Sequence, residues 1–239
     1  MGYLELALAA PVILSAYFVR GLTGFGSALI AVPVLCLSLP IEIVVPSVIA
    51  LDFLGSLAQG IHKRQSIHWD EIARLLPFSV AGIAIALYLL QDVDTRFLLR
   101  GLGVFIIAYS IYQLLPQPSR SGSHWYAAPA GVFGGLTGTL FATGGPFYVT
   151  YLMLRGLDKT AFRSTFAALF VIDGGLRIGG FAATGLYQAD TLSLLSLLLP
   201  FAAVGLFLGS RVHADIRPEA FKMLISILLL TTSVPLLLR

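Results

Sequence analysis

Three ionisable residues stand inside long apolar runs: Asp52, Asp173 and Arg177. A charge at mid-bilayer costs on the order of 3 kcal/mol on insertion scales, so such side chains face a bundle interior or a water-filled cavity. Asp173 and Arg177 are four residues apart, on one helical face, and can pair. Two roles fit that pair. It is a structural tether, or Arg177 attracts an anion while Asp173 holds it in position or accepts a proton. Asp52 sits at a comparable depth in the first half and carries the same alternatives, coupling or structural. Arg20 adjoins a glycine-rich stretch, where a long side chain reaches an interface by snorkelling.

The second set of candidates is backbone chemistry. Arg20-Gly-Leu-Thr-Gly-Phe-Gly-Ser runs on to Pro33, and Gly134-Gly-Leu-Thr-Gly-Thr-Leu-Phe-Ala-Thr-Gly-Gly runs on to Pro146. The tetrapeptide Gly-Leu-Thr-Gly occurs at 21–24 and again at 135–138. Glycine and proline interrupt a helix and free N–H and C=O groups that hydrocarbon cannot satisfy. Such breaks are tolerated against protein or a wet cavity, and they bring positive helix N-termini to the midplane, where an anion is stabilised. The expected binding set is Gly21, Thr23, Gly24, Gly26 and Ser27 from the first break. From the second it is Gly135, Thr137, Gly138, Thr139, Thr143, Gly144 and Gly145, with Arg177 adding attraction and the threonine and serine hydroxyls adding donors. The plainer alternative is close helix packing, since small residues let transmembrane backbones approach.

Other chemistry finds little support. Cys36 is the single cysteine and lies in an apolar run, which excludes an intrachain disulfide and reads as a packed small hydrophobe. His62, His68, His124 and His213 fall in expected loops without zinc-ligand spacing. No Gly-x4-Gly-Lys-Ser/Thr loop is present to hold ATP, and no nucleophile has plausible base partners. We expect no enzyme, no metal and no cofactor; an intramembrane enzyme built on Asp52 and Asp173 is the weaker alternative. A basic face with nucleic-acid motifs is also missing.

The elements that must position these residues are set by composition. Of 239 residues, 57% are hydrophobic and 11% charged. A soluble domain carries roughly a quarter charged residues to make its surface. Too few are here, so the main solvent is lipid. Apolar runs near 43–61, 72–90, 97–115, 163–186, 190–210 and 221–238 have spanning length. The stretches 4–39 and 127–154 are longer and interrupted. The amino-terminal Met-Gly-Tyr-Leu-Glu-Leu has no basic n-region, so it reads as the start of the first membrane segment rather than a removed signal peptide.

The chain also repeats itself. Pro77-Phe78, Gly82 and Asp92 recur as Pro200-Phe201, Gly205 and Asp215 at a constant offset of 123, while the glycine motif recurs at 114. Two blocks in one order indicate an internal repeat, with an N-terminal repeat at 1–116, a linker at 117–126 and a C-terminal repeat at 127–239. The expected fold is all-α: a polytopic transmembrane bundle of about eight to ten segments, made of two inverted repeats, each beginning with an interrupted or re-entrant helix. An odd segment count per half puts the loops at 61–74, 116–126, 155–163 and 211–222 on one side. They carry Lys63, Arg64, Arg74, Arg120, Arg155, Lys159, Arg163, Arg211, Arg217 and Lys222, which the positive-inside rule makes cytoplasmic, with both termini outside. Trp69 and Trp125 flank expected spans as interfacial anchors.

At these residues the chain resembles the sulfite exporter TauE/SafE family of membrane transporters. The resemblance rests on the glycine-rich element at 21–33 ending in Val-Pro, its second copy at 134–146 ending in Gly-Gly-Pro, and the Pro-x4-Gly helices at 77–82 and 200–205. It covers nearly the whole chain. It implies a transporter of the bacterial inner membrane that moves small sulfur-containing anions, such as sulfite or organosulfonates, outward. The expected partners are then the small anionic substrate and the lipid bilayer, with a homodimer compatible and nucleic acid excluded. A channel for the same ligand is the alternative within transport.

Overall fold

The computed structural model describes residues 3–60, 64–114 and 122–212. Among them the regular structure is helical, with no strand. In chain order the helices are α1 (Tyr3–Thr23), α2 (Ser27–Leu35), α3 (Ile41–Gly60), α4 (Trp69–Asp92), α5 (Thr95–Leu114), α6 (Ala127–Phe141), α7 (Gly145–Leu154), α8 (Lys159–Ala183) and α9 (Ala189–Arg211). Stretches within α3, α4, α5, α8 and α9 are long and apolar enough to cross a membrane. These five match the expected runs within a few residues. The sixth, 221–238, lies outside the described residues, as do much of the 117–126 linker and the basic residues Lys63, Arg120, Arg217 and Lys222.

The two interrupted stretches are indeed broken. α1 stops at Thr23, Gly24 and Gly26 take φ values of 90° and 95°, and α2 starts at Ser27. That backbone conformation is open to glycine at no steric cost. α6 stops at Phe141, and Ala142 takes φ 57° before α7 begins at Gly145. An L-residue in that region is strained by about 1–2 kcal/mol. The second Gly-Leu-Thr-Gly, 135–138, is therefore not the break; it forms part of the last turns of α6. The interruption follows it at 142–144. At 1.5 Å per residue, the nine residues of α2 and ten of α7 are about 14–15 Å long, half a hydrocarbon core.

The helices group into two compact units, which do not coincide with the sequence halves. One comprises α1, α2, α5, α9 and the first turn of α3; the other comprises the rest of α3 with α4, α6, α7 and α8. Each unit has a glycine-lined crossing at its centre. In the first, α1 packs along α9. A Cβ on Gly21 would stand 2.6 Å from the Leu206 carbonyl oxygen and 2.7 Å from Ser210 N, and one on Gly205 would press on the Leu14 carbonyl. In the second, α6 packs along α4. Cβ atoms on Gly82 and Gly135 would run into the backbone carbonyls of Val132 and Ser79, and one on Gly131 would stand 2.7 Å from Leu75 O. Lipid tails are as apolar as leucine, so close backbone contact supplies the helix attraction that water supplies elsewhere. Each broken helix thus lies against a Pro-x4-Gly helix distant in sequence, α1 against α9 with Pro200 and Gly205, and α6 against α4 with Pro77 and Gly82.

One end of the second unit carries a polar cluster. The buried Glu71 carboxylate accepts from Arg155 Nε at 2.9 Å, from Arg74 Nη1 at 3.2 Å and from the Tyr151 hydroxyl. Arg155 also donates to the Gly122 carbonyl at 2.7 Å, and Arg74 reaches His124 Nδ1 at 2.8 Å. The start of α4 at Glu71 and Arg74, the 122–124 segment and Arg155 at the end of α7 therefore meet at a single end of this unit. Bonding to Glu71 moves Arg155 further above its already high value, and the Ala161 and Thr160 amides hold the Asp158 carboxyl below the usual carboxylate range. Trp69 and Trp125 are both exposed.

Candidate functional site

Four helices of the second unit converge on the Arg177 guanidinium. α8 supplies Asp173 and Arg177, α7 supplies Tyr148, α4 supplies Ser79, and α6 supplies the Gly134 carbonyl. All four side chains are almost wholly buried, Arg177 at 3% and Asp173 at 1% exposure. Arg177 and Asp173 form the expected i,i+4 ion pair through Nη2 and Oδ2. Nη2 also donates to Gly134 O at 3.2 Å and lies 3.5 Å from the Tyr148 hydroxyl. Asp173 Oδ1 accepts from the Tyr148 hydroxyl at 3.0 Å and from the Ser79 hydroxyl.

Missing side chains make room for the guanidinium. A Cβ on Gly138 would collide with its Cζ and both Nη atoms, and a Cβ on Gly144 would stand 3.0 Å from Nη2. Gly144 is the N-cap of α7 and Gly145 its first residue. A helix begins with N–H groups that lack intrahelical partners and a partial positive charge. The arginine is thus held against the positive start of a helix, with one carboxylate to balance both. Its Nε is buried and has no hydrogen-bond partner. A buried charged donor left unpaired costs on the order of 1–3 kcal/mol, which an anion at that edge would recover.

The remaining expected residues divide by role. Gly135 belongs to the α4 crossing, and Gly145 has ordinary contact with Phe170 and Phe166 at 3.6 and 3.8 Å. The threonine hydroxyls turn to their own backbone: Thr137 donates to Phe133 O at 2.7 Å, Thr139 to Gly135 O at 2.8 Å and Thr143 to Thr137 O at 3.5 Å. In the first unit Thr23 donates to Phe25 O at 2.6 Å, Gly21 packs on α9, and Gly24 and Gly26 make the break. Arg20 does not snorkel: it is 1% exposed and donates from Nη1 to the Ser27 hydroxyl at 3.0 Å, so its guanidinium lies at the start of α2. Asp52 is buried on α3.

Tyr148 and Ser79 are the site residues that the sequence reading missed. Single hydroxyls in apolar helices are too common to stand out. The repeat held a signal for one of them, because Ser79 corresponds to Ala202 at the offset of 123. Gly134 corresponds likewise to Arg20 at 114.

Known proteins resemble this chain along most of its length. A protein of Comamonas testosteroni named "Probable inner membrane transporter protein TsaS" is 28% identical over 193 residues, covering 79% of this chain and 80% of that protein. No solved structure matches the chain at a significant level. The family model described as "Sulfite exporter TauE/SafE" matches residues 9–236. With that match spanning nearly all of the sequence, the chain belongs to the sulfite exporter TauE/SafE family of membrane transporters.

Proposed function

We propose that this multi-pass membrane protein is a secondary transporter that exports small sulfur-containing oxyanions, such as sulfite or organosulfonates, across the inner membrane. The observation that carries the reading is the buried Arg177 guanidinium, with its unpartnered Nε, set against Gly138 and Gly144 where α7 begins. A positive side chain and a positive helix end in a site of low dielectric suit a compact anion with several acceptor oxygens. The family description and the relative's name favour transport, and the former favours sulfur oxyanions.

The reading includes two inverted repeats working by alternating access, with the basic loops cytoplasmic and both termini outside. What supports it is the crossed-over pairing of α1 with α9 and α6 with α4, together with the meeting of Arg74, Arg155 and His124 at one end of the second unit. The short helices α2 and α7 suit segments that enter the membrane without crossing it alone. The test is anion-induced stabilisation of the purified full chain across a panel of small oxyanions. Sulfite and short alkanesulfonates should raise the unfolding temperature, and Arg177→Gln should lose the effect. An equal response in Arg177→Gln removes the arginine from the site; unitary currents in planar bilayers would replace the transporter by a channel.

A further inference from the structure

The bonding around Asp173 says more than that it neutralises an arginine. Ser79 Oγ, Tyr148 OH and Asp173 Oδ1 form a triangle: Ser79 and Tyr148 are 2.8 Å apart, and each is within hydrogen-bond distance of the carboxylate. Three oxygen–oxygen edges need three hydrogens. With Asp173 ionised, the two hydroxyls supply two, and one edge is left with oxygen facing oxygen. A proton on Asp173 completes the ring, each oxygen then donating once and accepting once. The other carboxylate oxygen, Oδ2, meets only the guanidinium.

Charge balance points the same way. Arg177 and Asp173 sum to zero charge, and among the described residues Gly134 O and the two hydroxyls are the pair's other polar partners, while α3, which meets α8 where Phe53 lies against Gly174 and Gly175, carries the further buried carboxylate Asp52. An anion on Arg177 beside an ionised Asp173 would bury one uncompensated negative charge, which a low-dielectric interior resists by several kcal/mol. Uptake of one proton restores neutrality.

Building on the transporter reading above, we propose that Asp173 is the built-in competitor of the transported anion, and that it takes one proton from solution as the anion takes Arg177. The carboxylate occupies the guanidinium in the empty carrier. In the loaded carrier the anion, entering at the open Nε edge, takes over the charge of the guanidinium, and the protonated carboxyl rests on Ser79 and Tyr148. Each singly charged anion then travels with one proton, so the loaded site is as neutral as the empty one. Asp173 is a positioning and coupling residue; only Arg177 touches the cargo.

The experiment uses methanesulfonate, which stays fully ionised, with the full chain in detergent. Titration calorimetry in buffers of different ionisation enthalpy counts the protons taken up per anion. Wild type should take up close to one. Asp173→Asn, having lost its competitor, should take up none and bind about tenfold tighter or more, a factor that corresponds to 1.4 kcal/mol. Where Asp173→Asn unfolds without ligand, the same gain is read as a larger methanesulfonate-induced rise in unfolding temperature than in wild type. Tyr148→Phe keeps the ion pair but opens the triangle, and should bind more weakly with the proton count reduced. Zero proton uptake by wild type, or weaker binding by Asp173→Asn, overturns the proposal while leaving Arg177 as the anion site. Unchanged binding by Arg177→Gln overturns the site itself.

Discussion

Gly138→Ala should separate folding from function more cleanly than any other single change. The added Cβ meets Arg177 Cζ, Nη1 and Nη2, all well inside van der Waals contact. α6 cannot retreat, because Gly135 and Gly131 already hold it against the backbone of α4. The guanidinium is the far end of a flexible side chain, so it moves instead. Ordinary contact begins near 3.5 Å, which requires a shift of about 1.2–1.4 Å. That shift stretches the 3.2 Å bond to Gly134 O and displaces the donors from the start of α7. A charged hydrogen bond is worth roughly 1.5–3 kcal/mol. Alanine in place of a helical glycine returns up to about 1 kcal/mol, so the net loss of stability should be about 0.5–2 kcal/mol. Anion affinity should fall by about ten- to a hundredfold, since the misplaced group is the ligand-bearing one. Gly145→Ala is the control, as its Cβ makes only ordinary contact with Phe170 and Phe166. The assays are thermal unfolding of the two purified variants and titration with a small sulfonate. If Gly138→Ala binds as tightly as Gly145→Ala, the geometry assigned to Arg177 is wrong.

Other expectations follow from the same contacts. Gly135→Ala pushes on the Ser79 backbone rather than a side-chain tip, and should cost about 1–3 kcal/mol or prevent folding, seen as a lower unfolding temperature or loss of monodisperse protein. Ala142→Gly relieves the positive φ of 57° and should raise stability by about 1 kcal/mol, readable in chemical denaturation. Asp158 caps α8 through the Thr160 and Ala161 amides at 2.8 and 3.0 Å, and those amides hold its carboxyl low. Its stabilisation is therefore complete above the unfolded carboxyl value of about 4 and fades as pH falls through the lower folded value. The stability difference between wild type and Asp158→Ala should be constant near neutrality and shrink on acidification below about pH 4, followed by unfolding temperature against pH.

The large-scale architecture was legible because lipid imposes it. Hydropathy located α3, α4, α5, α8 and α9. The two offset sequence blocks did not reveal the helix pairing, since α6 against α4 and α1 against α9 depend on backbone fit at Gly82, Gly135, Gly21 and Gly205. The second glycine motif pointed to the right helix but the wrong feature. Its glycines give clearance to α4 and to Arg177, while the interruption comes later, at a strained alanine. Asp173 and Arg177 were readable as a pair from their spacing alone. Tyr148 and Ser79 were not, because a hydroxyl's role depends on which helix faces it.

Exchange of a labelled sulfonate or sulfite across proteoliposomes containing the purified chain decides whether Arg177 carries the transported anion. Wild type should show saturable exchange, at least about a hundredfold slower in Arg177→Gln, as expected for loss of a buried charged ligand worth roughly 3 kcal/mol. Exchange by Arg177→Gln at the wild-type rate would contradict that role for Arg177.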